Sequence, residues 1–158
     1  MPIDFDHIEK HNLDRLSYAT RADIRHLKVE VMAKHLALRA TADPFRVEPI
    51  VPAVFEEEGF RAALDCDVLF ACVDRPWGRY ILNLIAYAHL IPAIDGGIAV
   101  RCNRHGRLAA ADWKAHTATV GRPCLQCLGQ YDPGLVQTSA RGVSMMPPTS
   151  PVCRRTIR

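Results

Sequence analysis

Cys124 and Cys127, in the run Cys124-Leu125-Gln126-Cys127, are two thiols at the spacing that lets both bite one tetrahedral zinc ion. One such pair supplies half of a structural zinc site. No second C-x-x-C follows, and His116 and Cys153 are the residues that could complete the set, with no motif behind either. Acidic residues at the ends of apolar runs form a second group. Asp4 and Asp6 flank Phe5; an acid closing an early strand of a nucleotide-binding sheet takes ribose hydroxyls, although a solvated turn uses the same residue types. Asp74 closes the unbroken apolar run 68–73, and Asp95-Gly96-Gly97 closes the run 91–94. Ligands of open parallel sheets bind beyond the carboxyl ends of the strands, so both tips are candidates. Lys28 lies one residue from the apolar stripe of a helix, where its ammonium could reach a site at the helix edge or stay in water. Glu56-Glu57-Glu58 has the composition of a metal cluster, but three acids opening a helix complement its dipole, and they are read as a solvated helix start. His7, His11, His26 and His35 have no ligand partner at metal spacing and read as surface residues.

The elements that must position these residues follow from periodicity. Residues 67–97 read as strand, polar turn, helix, strand: an apolar run at 68–73, a break at Arg75-Pro76-Trp77-Gly78, apolar positions 81, 82, 85 and 88 on one helical face, and a second run at 91–94. Such a β-α-β unit implies parallel strands and a right-handed crossover. Upstream, residues 2–6 read as the end of a strand and 7–17 as irregular. An amphipathic helix is expected over 22–38 with Ile24, Leu27, Val31 and Leu38 inward, a half-buried edge strand over 45–51, and a short helix over 55–64. Downstream, 98–102 is a strand, and 108–113 with 117–120 are expected to make a hairpin. Residues 138–158, with Pro147-Pro148 and Pro151 and no apolar period, read as a disordered tail after a domain spanning 1–137.

Composition bounds the rest. With 158 residues, 49% of them hydrophobic and 23% charged, the chain is ordinary globular material able to bury a core. A net charge of +3 spread along the sequence is not the clustered basic stripe of a nucleic-acid binder. The N-terminus lacks the apolar core of a signal peptide, and the longest apolar stretch, 80–94, is interrupted by Asn83, His89 and Pro92, which argues against a membrane span. Six cysteines without a secretory signal point to a reducing cytoplasm.

Taken together, the motifs resemble the ThiF/MoeB/HesA (E1-like) adenylyltransferase family over residues 4–131. Asp4-Phe5-Asp6 followed by Asn12-Leu13-Asp14-Arg15 is similar to its D-x-D-x5-N-L-x-R signature. Lys28 falls where the family has a nucleotide-contacting lysine, Asp74 with Arg79 and Asn83 follow its D-x4-R-x3-N pattern, and Cys124 and Cys127 match its first zinc C-x-x-C. The resemblance implies a Rossmann-like, mostly parallel α/β sheet with flanking helices, and an ATP- and Mg2+-dependent activation of the C-terminal glycine of a ubiquitin-like or sulfur-carrier protein. It implies Asp4 on the ribose; Asn12, Arg15 and Lys28 around the phosphates; Asp74 on Mg2+; Arg15 and Asp74 as the catalytic pair; and Cys124 and Cys127 on Zn2+. Arg79 would join that polar cluster or cap its helix, with the cap preferred. E2-like or JAB-type partners and a homodimer are further implications.

The chain also departs from the pattern. The family's glycine-rich phosphate loop precedes the D-x-D strand, and this sequence starts at that strand, so the first strand and the loop are missing. The second C-x-x-C is absent, and Thr138 and Ser139 stand near the place of the relatives' nucleophilic cysteine. The expectation is therefore a fragment with impaired ATP binding and little pyrophosphate exchange on its own, with a non-enzymatic, protein-binding remnant as the alternative. An NAD-dependent oxidoreductase would need the same glycine-rich turn and leaves Asn12, Arg15, Lys28 and the C-x-x-C unexplained. The central expectation is that Asp74, Lys28 and Arg15 converge on one nucleotide-shaped hollow.

Overall fold

The computed structural model describes residues 1–141, which fall into two compact units divided between Asp65 and Cys66. Residues 142–158, which hold most of the expected tail and Cys153, lie outside the described residues.

In the first unit the expected strands at 2–6 and 45–51 shrink to one parallel bridge, Ile3 to Ile50. Asp4 N donates to the Ile50 carbonyl at 3.2 Å and Ile50 N to the Pro2 carbonyl at 2.9 Å. Pro2, Pro49 and Pro52 lack the N–H groups that would extend a ladder. The stretch read as irregular has its own order: a 3-10 turn over Lys10–Asn12 and an antiparallel bridge from His7 to Leu27, with Ile8 between them fully buried.

The helix expected from 22 begins later. A Thr20–Asp23 capping box opens a 3-10 turn over Arg21–Asp23, but Ile24 is extended and Arg25 has a φ of 76°, so α1 spans Lys28–Arg39. Val29, Val31 and Ala33 are its buried residues, whereas Leu38 is 87% exposed and is no part of an inward stripe. Helix α2, Glu57–Leu64, starts two residues later than expected. Glu56 accepts a hydrogen bond from Ala53 N at 2.8 Å and Glu57 pairs with Arg61, so the acidic run serves its own helix. Gly59 is required there: a Cβ would sit 2.2 Å from the Ala53 carbonyl oxygen.

The second unit contains the β-α-β element. Strand β1, Leu69–Ala71, runs parallel to β2, Ala93–Cys102, with Leu69 opposite Ala93 and Ala71 opposite Asp95. Helix α3, Pro76–Ala88, connects them, with Pro76 in its first turn and Leu82 and Ile85 buried. Phe70 is 77% exposed, so β1 is buried on one face only.

Two expectations are corrected in this unit. Strand β2 does not end at Asp95; it continues through both glycines to Cys102. Residues 108–120 do not fold on themselves: β3, Leu108–Ala118, is one strand antiparallel to β2. The hairpin turn sits instead at 103–107, where Asn103 Oδ1 accepts from His105 N and Arg107 N and Gly106 takes a φ of 71°. The sheet order is β1-β2-β3, one parallel pair and one antiparallel pair. Helix α4, Pro133–Ala140, is capped by Asp132 and packs against α3; it carries Thr138 and Ser139, where the tail was expected to begin. None of the helices among the described residues is long and apolar enough to cross a membrane.

Candidate functional site

Chain segments 6–8 and 25–28 lie side by side in the first unit, tied by Lys28 N to the Asp6 carbonyl at 2.9 Å and Ile8 N to the His26 carbonyl at 2.8 Å. This pairing sets the first residue of α1 beside the acidic turn. Asp4 Oδ1 accepts from Asp6 N at 2.9 Å, and Lys28 Nζ meets Asp6 Oδ2 at 2.7 Å, with the lysine side chain 18% exposed. Tyr18 completes the group. Burial first, and then the negative charge of Asp4, push its phenol above the ordinary value, while Lys28 pulls the other way. Tyr18 thus feels the charges of both Asp4 and Lys28. The sequence pattern held no signal for Tyr18; its place depends on how the chain turns between 16 and 20.

Asn12 and Arg15 stand differently from what the family pattern suggests. Asn12 is buried, and its Oδ1 accepts from Glu9 N at 2.9 Å, closing the capping box of the first 3-10 turn. Arg15 is exposed and bound locally, with Nη1 on the His11 carbonyl at 2.9 Å and on Asp14 at 3.4 Å.

In the second unit Asp74 is exposed, three residues past the end of β1 and two before α3. Among the described residues no three His, Cys, Asp or Glu side chains gather around a common point, so Asp74 is a single carboxylate. Arg79 neither joins such a cluster nor caps its helix. Its Nε meets Asp95 Oδ1 at 3.2 Å and its Nη1 donates to the Gln130 carbonyl at 3.4 Å. Asp95 is fully buried, and its Oδ2 meets no described donor. The carboxylate read as a strand tip is thus an internal ion pair joining β2, α3 and the 121–132 loop.

Asn83 has a definite task. Its Oδ1 accepts from Leu125 N at 2.8 Å, and hydrogen bonds from its side chain also act on the Cys124 thiol and the Tyr131 phenol. Leu125 is fully buried, Gln130 N donates to its carbonyl at 2.9 Å, and Tyr131 Oη donates to Gln126 Oε1 at 3.3 Å. The loop so held carries Cys124 Sγ 3.2 Å from Cys127 Sγ, with Cys127 N donating to Cys124 Sγ at 3.3 Å. The bond from Cys127 N, and weaker ones from the Cys127 thiol, Gln126 N and Asn83, hold the Cys124 thiol below its ordinary value against the effect of burial. A zinc ion with thiolates at about 2.3 Å would spread the two sulfurs to about 3.8 Å and needs two more ligands. His116 is not one of them: its Nε2 donates to the Pro123 carbonyl at 2.7 Å. Among the described residues the donor set is two thiols, half of a structural zinc site.

The sequence model of the ThiF family matches residues 2–153. Among solved structures the chain is similar to E. coli MccB, with a TM-score of 0.62 and 18% identity over 95% of this chain and 41% of that one. The MccB structure with ATP gives 0.58 and 21%, covering 88% and 39%. PaaA gives 0.53 and 16%, covering 91% and 44%. The chain therefore spans less than half the length of the structures it matches, and at these identities they show the fold alone. No curated protein matches it.

Proposed function

Because the chain belongs to the ThiF family, we propose that it forms the nucleotide-facing part of an ATP-dependent adenylyltransferase that activates the C-terminal carboxylate of a peptide or small protein. The observation that carries this reading is the family match across nearly the whole sequence. It is supported by similar structures of MccB with ATP, and with AMPCPP together with MccA. A ubiquitin-like or sulfur-carrier protein ending in glycine is the substrate class proposed, and a homodimer the working form. The proposal places the protein in the cytoplasm.

In the reaction a carboxylate oxygen attacks the α-phosphorus of ATP, the bond to the bridging oxygen breaks, and pyrophosphate leaves. Negative charge grows on the phosphoryl oxygens, so the residues that matter are those that meet it. Lys28, pinned at the start of α1, is the point charge; in the resting fold Asp6 neutralises it, and phosphate would compete for the same ammonium. Arg15 is exposed and would exchange its local partners for a bidentate phosphate contact. Asp4 is the ribose acceptor, Asn12 holds the turn that presents Arg15, and Asp74 would hold Mg2+, which would supply charge neutralisation for the phosphates. The convergence of Lys28 and Arg15 with Asp74 is part of this proposal.

ATP–pyrophosphate exchange by the protein as the cell makes it, with a candidate C-terminal peptide, tests the reading. Lys28→Met and Asp74→Asn are each expected to lower exchange by about 100-fold or more; unchanged exchange in both overturns the assignment. The alternative is a protein-binding module without catalysis. It is favoured by one sheet face of the second unit, where Phe70, Ile98 and Trp113 are 77%, 74% and 81% exposed. Partner binding with no exchange in the unsubstituted protein would establish it.

A further inference from the structure

We infer that Asn83 and Tyr87 are positioning residues: with Arg79 they seat the 121–132 loop along α3, and the helix so held fixes the turn that carries Asp74. This rests on the proposed role of Asp74 in adenylation.

Arg79, Asn83 and Tyr87 stand four residues apart, so their side chains line one face of α3. Each meets the main chain of the loop. Arg79 Nη1 donates to the Gln130 carbonyl at 3.4 Å, Leu125 N donates to Asn83 Oδ1 at 2.8 Å, and Tyr87 Oη donates to the Arg122 carbonyl at 2.9 Å. As the helix runs from 79 to 87 the partners run back from 130 to 122, so the loop lies antiparallel along it. Main-chain partners do not depend on the loop's own side chains, so its register is set by the row on α3. The middle contact is sheltered, Leu125 being fully buried, and there a hydrogen bond meets less competition from water. The end nearest Asp74 is tied a second time, because Arg79 Nε meets the fully buried Asp95 on β2 at 3.2 Å.

The same helix begins at Pro76, two residues after Asp74. Its first turn sits on the end of the strand: a Cβ on Gly78 would stand 3.4 Å from Cγ2 of Val73, the residue before Asp74. A shift of α3 along or about its axis therefore reaches the Asp74 turn directly. Asp74 itself is exposed, so its setting has to come from the elements on either side of it. Residues that orient a metal's ligands from behind matter to binding, and losing one typically costs about 10–100-fold in metal affinity. The row on α3 acts in this way, through the helix and not by touching the nucleotide.

Asn83→Leu, Asn83→Asp and Tyr87→Phe in the protein as the cell makes it test the inference in two measurements. Leucine has a similar branched shape and no acceptor; aspartate restores an acceptor for Leu125 N. In ATP–pyrophosphate exchange the Mg2+ concentration for half-maximal rate is expected to rise about 10-fold in Asn83→Leu and about 3-fold in Tyr87→Phe, and to return towards the parent in Asn83→Asp. The rate at saturating Mg2+ should stay within about 3-fold of the parent. A loss at saturating Mg2+ with the half-maximal concentration unchanged overturns the inference. Hydrogen–deuterium exchange reads the geometry without catalysis. In Asn83→Leu the amides of 74–79 are expected to exchange about 10-fold faster together with those of 121–132, while those of α2 stay within about 2-fold. Faster exchange confined to 121–132, or equal in α2, overturns it. Tyr87→Phe keeps the ring and loses one hydroxyl, so it decides the question if Asn83→Leu does not fold. If the parent shows no pyrophosphate exchange, the proposed function fails, and the amide measurement still decides whether the row holds the Asp74 turn.

Discussion

Tyr18 senses both charges of the acidic turn, and that makes it a reporter for it. Its phenol ionises above 10.0, from burial and from Asp4, with Lys28 opposing. In a spectroscopic titration Asp4→Asn is expected to lower the Tyr18 midpoint and Lys28→Ala to raise it further. Opposite or absent shifts would show that the three do not share one environment. The same shift links to stability. The unfolded chain loses this proton at the ordinary value, before the folded chain does, so the stabilising contribution is complete below pH 10 and is lost as the pH rises through the higher folded value. Tyr18→Phe should flatten that part of the alkaline stability profile, though Tyr87 and Tyr131, also raised, will keep some of it. A second residue-scale prediction concerns Arg79. Removing it leaves Asp95 buried and unpaired, so Arg79→Met should cost about 3–5 kcal/mol in denaturant unfolding. Asp74→Asn, at an exposed position, should stay within about 0.5 kcal/mol of the parent.

At the scale of elements, α2 tests how local sequence and packing compete. Alanine is the better helix former by about 1 kcal/mol, so propensity alone favours Gly59→Ala. The Cβ would press into the Ala53 carbonyl oxygen, a backbone atom that cannot swing away. We expect net destabilisation of about 1–3 kcal/mol, read from the unfolding midpoint; a stabilised variant would mean that the 53–59 turn yields. The elements also show which local signals were readable. Pro76 and the 81, 82, 85 spacing announced α3, and the parallel β1–β2 pair followed from it. Helix α1 begins six residues later than the apolar rhythm from 22 suggests, because the Thr20–Asp23 box and the left-handed Arg25 break the backbone. Strand β2 runs on through Asp95-Gly96-Gly97, although acids and glycines usually end strands. Here Arg79 neutralises the acid, and β3 pairs with both glycines.

For the whole molecule the proposed function predicts functional coupling between residues of the two units, since Lys28 and Arg15 belong to the first and Asp74 to the second. A double-mutant cycle in pyrophosphate exchange, Lys28→Met with Asp74→Asn, addresses it. If both residues meet the same phosphates, the losses should be non-additive by about 0.5–3 kcal/mol; simple additivity would separate the two residues and end the shared-site proposal.

The residues themselves determined the family, the β-α-β element and the acidic helix start. Each of these rests on spacing along the chain, which a linear sequence records. Tertiary structure alone decided that Arg79 pairs with Asp95 sixteen residues away, that Asn83 holds Leu125 across forty-two, that Tyr18 joins Asp4 and Lys28, and that Asn12 caps a turn. The physical reason is the same in each case: a polar group's role is set by the partner that satisfies it once water is excluded, and the partner is chosen by the fold.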